Sequence, residues 1–267
     1  MKTSGETLAK RVREIGESET FKARSGSLPT WCPGCGYFGI HHGLSACIQR
    51  LGLPLHQIVT VSGIGCAGRY AFFSGTYGLH TVHGRTLPTA TGVKYANPDL
   101  TVFAVGGDGD GLAIGGGHLA HAARRNVDIK YLLFDNSIYG LTKGQPSPSS
   151  QIGTTTKASP YGTTDKPLNA TLMALTYGAS FVARLFAGDP ERIADVLMQG
   201  VQHKGFAIFH IMTTCLTFDK TFKTWENLKS WVRPLPKSHD PSDLKSAYDQ
   251  VFKHDFTTGV IYKREEE

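Results

Sequence analysis

Short apolar runs alternate with helix-patterned segments along most of this chain. The runs "HQIVTVSG", "DLTVFAVGG", "VDIKYLLFDN", "ASFVARLF" and "GFAIFHIM" are rich in Val, Ile and Phe and are set off by Gly, Asn or Asp, as buried strands are. The segments "YFGIHHGLSACIQRLGL", "HLAHAARRN", "LNATLMALTYG" and "PERIADVLMQGVQH" carry helical spacing instead. Strands that pair in parallel need a long crossover between them, and a helix provides it. The order therefore predicts an α/β fold, a mostly parallel sheet flanked by helices on both faces, with ligands bound at the carboxyl ends of its strands.

A chain of 267 residues, 40% of them hydrophobic, can bury one large core. One domain is expected over 29–215, with a polar N-terminal arm over 1–28 and a C-terminal extension over 216–267 that wraps the domain or meets a partner. The arm has no apolar stretch of signal-peptide length, and no other segment is apolar enough to span a bilayer, so the expected location is cytoplasmic, with no membrane contact. A formal charge of +6 suits anionic partners. Nucleic acid is not expected, because no basic tract interleaved with aromatics and no helix-turn-helix or finger spacing is present. The stretch over 142–170, "TKGQPSPSSQIGTTTKASPYGTTDKPLN", lacks periodicity, and a loop that long is functional or disordered.

The segment "VFAVGGDGDGLAIGGG" follows an expected strand and opens a helix, where a phosphate-binding turn belongs. It fits neither the Gly-Lys-Ser/Thr loop nor the G-x-G-x-x-G fingerprint. Asp108 and Asp110 would repel a bare phosphate, by about 4 kcal/mol for a charge pair ~4 Å apart at an effective dielectric near 20. A divalent cation reverses that sign, and Mg²⁺ takes oxygen ligands. Asn136, at the next strand end, is placed to supply one. Each residue alone is as readily explained by a local turn, Asp108 as an Asx turn and Asn136 as a turn former.

The five cysteines, an odd number, argue for metal or redox chemistry over a disulfide framework. Cys32 and Cys35 sit one helical turn apart in "CPGCG". With two distant thiols they would make a zinc or an iron–sulfur site, and the residues alone leave both open. Cys47, inside a helix-patterned segment, is expected to be a small buried hydrophobe. His41, His42, His118 and His121 read as helix packing, whereas His80 and His83 in "HTVHGR" are divided between structural and ligand roles.

The order GDG, about thirty residues, then Asn resembles the diphosphate and metal motif of thiamin diphosphate enzymes. Taken together, "WCPGCG", "GIGC", "HTVHGRTLPTATGVKYANPDL", "GGDGDGLAIGGGHLAHAARRN" and "NSIYGLTKGQPSPSS" resemble the beta subunit of the 2-oxoacid:ferredoxin oxidoreductases, especially the 2-oxoglutarate type, over roughly residues 30–215. The resemblance makes 29–215 a thiamin diphosphate-binding domain. It implies Mg²⁺ on Asp108, Asn136 and the carbonyl of Ile138, and cofactor contacts at Gly65, Cys66, His83, Gly107, Asp108, Gly109, Asp110, Asn136, Ile138, Tyr139, Gly140, Leu141 and Thr142. It implies a [4Fe-4S] cluster on Cys32, Cys35, Cys66 and Cys215. Arg69, Leu141 and Lys143 match positions near the cofactor and the substrate carboxylates, and "YGLTKGQ" replaces the Asn-Thr-Gly segment of pyruvate-type relatives.

The implied reaction is oxidative decarboxylation of 2-oxoglutarate, or a related 2-oxoacid such as pyruvate, with coenzyme A to acyl-CoA and CO₂, electrons passing to ferredoxin. A larger alpha subunit would supply most substrate contacts and the Glu that activates the aminopyrimidine, in a heterotetramer of two alpha and two beta. Lys220 and Lys223 are expected on a basic surface that steers acidic ferredoxin. The rival readings are a non-oxidative thiamin diphosphate component with a structural metal at the cysteines, and an electron-transfer module without catalysis of its own.

Overall fold

A computed structural model describes residues 27–219 and 222–264. The arm expected over 1–28 lies outside the described residues except for its last two, and so does Lys220. In chain order the elements are α1 (Tyr37–Leu51), β1 (Ile58–Ser62), α2 (Tyr70–Phe73), β2 (Tyr77–His80), α3 (Thr86–Ala96) and β3 (Thr101–Gly107). A π-helical turn (Gly109–Ile114) leads into α4 (Gly116–Arg124), β4 (Lys130–Asp135) and the short β5 (Ile138–Tyr139) and β6 (Gln145–Pro146). Then come α5 (Ala170–Thr176), β7 (Phe181–Phe186), α6 (Pro190–Gln202), β8 (Ala207–Met212), α7 (Trp225–Trp231), β9 (Arg233–Pro234), α8 (Leu244–Lys253) and β10 (Thr257–Lys263).

Eight strands form one sheet in the order β2-β1-β3-β4-β8-β7-β10-β9. All neighbours pair in parallel except β10 against β7. Successive residues of a strand face opposite sides, which divides the core in two. Phe103 and Val105 join Leu132, Phe134, Phe209 and Ile211 beneath α1 and α6, whose Ile40, Leu44, Ile193 and Leu197 complete that layer. Val102 and Ala104 join Leu133, Val182 and Ile208 on the other side, under Leu87, Leu119, Ala174 and Val251 of four further helices. Both faces are thus covered, and β1, β3, β4, β7 and β8 are buried along almost their whole length and mostly apolar, because both sets of their side chains face a helix layer.

Helix boundaries follow local chemistry. Gly52, at φ +62°, ends α1 by returning its N–H to Gln49. Asp189 caps α6 by accepting from the Arg192 N–H, with Pro190 following where its missing N–H is harmless. Cys47 is fully buried in the α1 core, as its helical setting implied. His41 packs among Trp31 and Tyr70, while His42 and His121 are exposed. Among the described residues no helix is long and apolar enough to cross a membrane.

The register fixes where the strands release the chain. Gly107 lies opposite Phe134, so Asp108 and Asp135 leave β3 and β4 side by side. The long aperiodic segment folds back beneath them, burying Ser147, Ser149 and Ser150. The residues after Cys215 contribute α7, β9, α8 and β10, so the sheet is completed by the chain's last described strand.

Candidate active site

A cleft opens at the carboxyl ends of β1, β3 and β4. Its walls include Gly65, Cys66 and His83 from the loops beyond β1 and β2, and Gly107, Asp108, Gly109 and Asp110 from the turn after β3. Asn136, Ile138, Tyr139, Gly140, Leu141 and Thr142 come from the segment after β4. Tyr37, Ile64 and Ala67 complete the lining and carried no functional signal in the sequence. Of the three residues expected near the substrate carboxylates, Leu141 lines the cleft and two lie outside it. Arg69 is half-buried at the start of α2, close enough to Cys66 to favour its thiolate, and Lys143 is exposed on the β5–β6 turn with φ +78°.

Asp108 is buried, and a single hydroxyl stands between it and Asp135. Ser149 Oγ lies 3.1 Å from Asp108 Oδ2 and 2.8 Å from Asp135 Oδ1. A hydroxyl has one proton to give, so it cannot satisfy two carboxylates at once. Burial first, and then the Asp135 charge, push the Asp108 carboxyl up to about 7 against the help of the Ser147 hydroxyl, the Lys223 charge and the Ser149 hydroxyl. Asp135 goes the other way. Burial would raise it, but the Lys223 ammonium and the His210 ring outweigh that and hold it well below the usual carboxylate range. Asn136 does make the local turn its side chain allows, Oδ1 accepting from the Ile138 N–H at 3.1 Å. That oxygen keeps a second lone pair.

Asp110 serves differently. Its Oδ1 accepts from the backbone N–H groups of Ile64 at 2.9 Å and Gly84 at 2.8 Å, and Oδ2 lies 3.4 Å from Thr86 Oγ1. One carboxylate thus ties three loops of the cleft together. His83 Nδ1 stands 3.6 Å from Oδ1 of Asp110, within the cleft. His80 is structural: its Nδ1 is 3.0 Å from the Gly68 carbonyl and its ring lies against Phe72. Gly109 must be glycine, because a Cβ there would collide with the Tyr139 ring, whose hydroxyl donates to the Gly109 carbonyl at 3.0 Å.

Four thiols border the cleft. A Cβ built on Gly140 would lie 3.5 Å from both Cys66 Sγ and Cys215 Sγ. Cys35 turns back to Cys32 through its N–H, 3.0 Å from the Cys32 carbonyl. Burial first, then the neighbouring Cys215, Cys66 and Cys32, push Cys35 up to about 12, and burial with Cys215 pushes Cys66 to about 11. Thiols that oppose one another's ionisation need a cationic centre to become ligands together. Among the described residues no three His, Cys, Asp or Glu side chains converge as a single-ion site would require. Four cysteine thiols are the ligand type an iron–sulfur centre takes, and a tetrahedral zinc takes the same set.

Lys223 corrects the sequence expectation. It is not on a steering surface but 5% exposed, its Nζ 2.8 Å from Asp135 Oδ1. A lysine in a polar stretch reads as solvated, and only the fold reveals a buried carboxylate in reach. His210 and Ser149 were missed for the same reason, since their partners are set by strand order.

A parallel sheet whose strand ends present an acid, an asparagine and close-approach glycines around one cleft defines the class of thiamin diphosphate-binding domains. Residues 55–211 match the family described as "Thiamine pyrophosphate enzyme, C-terminal TPP binding domain", and residues 215–267 match the family of the C-terminal region of the pyruvate ferredoxin oxidoreductase beta chain. The chain is 44% identical over 249 residues to the 2-oxoacid:ferredoxin oxidoreductase subunit beta of Saccharolobus solfataricus, covering 88% of this chain and 82% of that protein. It is 46% identical over 189 residues to the 2-oxoglutarate oxidoreductase subunit KorB of Mycobacterium tuberculosis, 71% of this chain, and spans about half of that relative's length, 51%. A structure of 2-oxoglutarate:ferredoxin oxidoreductase from Magnetococcus marinus with 2-oxoglutarate, coenzyme A and succinyl-CoA bound superposes with a TM-score of 0.91 at 43% identity, covering 94% of this chain and 87% of that one. This chain belongs to the beta subunits of the 2-oxoacid:ferredoxin oxidoreductases.

Proposed function

We propose that this subunit takes part in the oxidative decarboxylation of a 2-oxoacid, 2-oxoglutarate foremost, with coenzyme A as acyl acceptor and ferredoxin as electron acceptor. The observation that carries the reading is the cleft itself: the thirteen residues from Gly65 to Thr142 expected to contact thiamin diphosphate all line it. Thiamin diphosphate, when bound, supplies the electron sink for decarboxylation, and a [4Fe-4S] cluster supplies one-electron transfer. Asp108, Asn136 and the Ile138 carbonyl would hold Mg²⁺ and through it the diphosphate, with Gly107 and Gly109 admitting it against the backbone. Asp108 is a buried acid with no cationic side chain in direct contact among the described residues and with Asp135 raising it further, so a divalent ion there would relieve that charge. Cys32, Cys35, Cys66 and Cys215 would hold the cluster, and Cys66, which also lines the cleft, would then touch both sites.

The site needs a partner. Among the described residues the glutamates are Glu191 and Glu226, both exposed on helices and neither in the cleft. The catalytic Glu, and most substrate contacts, would therefore come from an alpha subunit that covers the cleft, in a heterotetramer of two alpha and two beta. Leu141, half exposed at the rim, and Arg69 and Lys143 nearby would meet that partner or the substrate carboxylates. Five free cysteines suit the reducing cytoplasm. The test is reconstitution after anaerobic purification. Iron and sulfide in about equal amounts, with 2-oxoglutarate- and coenzyme A-dependent ferredoxin reduction only when the partner is added, are expected. A colourless zinc protein, or turnover by this chain alone, would overturn the proposal.

A further inference from the structure

Lys223 and Asp135 are a buried ion pair to which the proposed function gives no part. Lys223 comes from the segment after Cys215, and Asp135 ends β4 beside the expected metal ligand Asn136. Asp135 is crowded by donors. Oδ1 receives Lys223 Nζ at 2.8 Å, Ser149 Oγ at 2.8 Å and the Ser137 N–H at 3.0 Å, and Oδ2 lies 2.8 Å from His210 Nε2. A carboxylate held this way, salt-bridged to Lys223, is a poor metal ligand, but it can aim the groups that do bind. From Ser149 the contacts continue to Asp108 Oδ2 at 3.1 Å. In the opposite direction the Lys223 N–H donates to Asp219 Oδ2 at 2.9 Å, and the Asp219 N–H donates to the Cys215 carbonyl at 2.9 Å. Asp108 is thus connected to Cys215 by side-chain contacts through Ser149 and Asp135 to the Lys223 ammonium, and by the Lys223 backbone through Asp219.

The structure assigns Lys223 and Asp135 a positioning role in which one buried pair sets both the Asp108 carboxylate and the backbone that carries Cys215. The inference rests on the ligand sets proposed above. It goes beyond them in linking two cofactor sites through residues that are ligands to neither. The pair is a pin between the sheet and the C-terminal segment: remove the ammonium, and a buried carboxylate beside Ser149 is left uncompensated while the segment that carries Cys215 loses its side-chain tie to β4 and keeps only its own backbone bonds through Asp219. Loss of such outer partners weakens metal binding by about 10- to 100-fold.

The experiment uses the full chain in complex with its co-expressed partner, purified anaerobically, and reads Mg²⁺-dependent thiamin diphosphate affinity by calorimetry and cluster content by iron analysis and visible absorbance. Lys223→Met is expected to lose about 10-fold or more in affinity together with much of its iron, and Lys223→Arg, which keeps the charge, to recover part of both. Ser149→Ala cuts only the Asp108 arm and should weaken the cofactor while keeping the iron. Asp219→Ala cuts only the Cys215 arm and should do the reverse. If Lys223→Met yields no folded protein, the last two variants decide. Wild-type affinity in Ser149→Ala with wild-type iron in Asp219→Ala overturns the inference, as does a Lys223→Met protein changed at one site alone. Wild-type protein that binds no cofactor in the presence of Mg²⁺ overturns the metal assignment itself.

Discussion

Replacing Asp108 by Asn should make the cofactor-free protein more stable at alkaline pH while abolishing Mg²⁺-dependent cofactor binding. The carboxyl ionises near 3.8 in an unfolded chain and near 7 in the folded one. Between those values the folded state holds a proton that the unfolded state has shed, so this group's contribution to stability falls as pH rises through the window. Above about pH 7 the full penalty is in place, about 4 kcal/mol at ~1.4 kcal/mol per pH unit. Asn cannot ionise, yet it keeps an oxygen for Ser149. The variant should therefore match the wild type near pH 4 and exceed it by up to about 4 kcal/mol at pH 8, a rise of roughly 10 °C in melting temperature for a domain of this size. Thermal melts of both proteins without cofactor, from pH 5 to pH 8, read this directly. In the wild type, Mg²⁺ affinity should also climb with pH through 7, because the ion displaces the proton. A variant that tracks the wild type at every pH, or melts below it at pH 8, refutes the reasoning.

Cys47→Ser should keep its iron at a stability cost of about 1–3 kcal/mol for a buried hydroxyl without a partner, whereas Cys66→Ser should lose the cluster; iron analysis of both separates ligand from core cysteine. Gly109→Ala drives a methyl into the Tyr139 ring and should lower cofactor affinity tenfold or more in calorimetry, with a stability loss of about 1–3 kcal/mol. Asp110→Ala strips the acceptor from the Ile64 and Gly84 N–H groups and should destabilise the fold by about 2–5 kcal/mol, with faster hydrogen exchange at those two amides as the specific sign. The reconstituted complex should gain ferredoxin reduction only on addition of the alpha subunit, measured as 2-oxoglutarate-dependent absorbance change.

The parts of the fold visible in the sequence are those buried on both sides. β3 and β4 read as strands because both parities of their residues are apolar, which leaves no exposed face for an alternative element. β2 gives no such signal: all four of its residues are exposed at the sheet edge, and its pairing with β1 comes from position alone. The helix Thr86–Ala96 is hidden by Pro88 and Gly92, although Pro88 stands in the first turn, where its missing N–H has no intrahelical partner to lose. β10 belongs to the main sheet, yet it lies 44 residues beyond β8, the difference between Thr257 and Met212 less one, and no local pattern states which edge it will join.

The site shows the same division between what is local and what is not, and it turns on three buried aspartates that look alike in sequence. Asp110 is answered by two backbone N–H groups from loops 46 and 26 residues away, so its charge holds the walls of the cleft. Asp135 is answered by Lys223 from 88 residues away and by His210 from 75, so its charge holds the groups behind the ligands. Asp108 has hydroxyls and a like-charged neighbour, and nothing cationic of its own in direct contact among the described residues. Motif spacing could nominate Asp108, but only the fold distinguishes it from the other two, because the distinction lies in which carboxylate the chain has left unneutralised. On the proposed function such a site would draw its cation to one place. Asp110 and Asp135 are already answered by donors of the fold, and Asp108, which lines the cleft with Asn136 and Ile138, is the acid a divalent ion would neutralise.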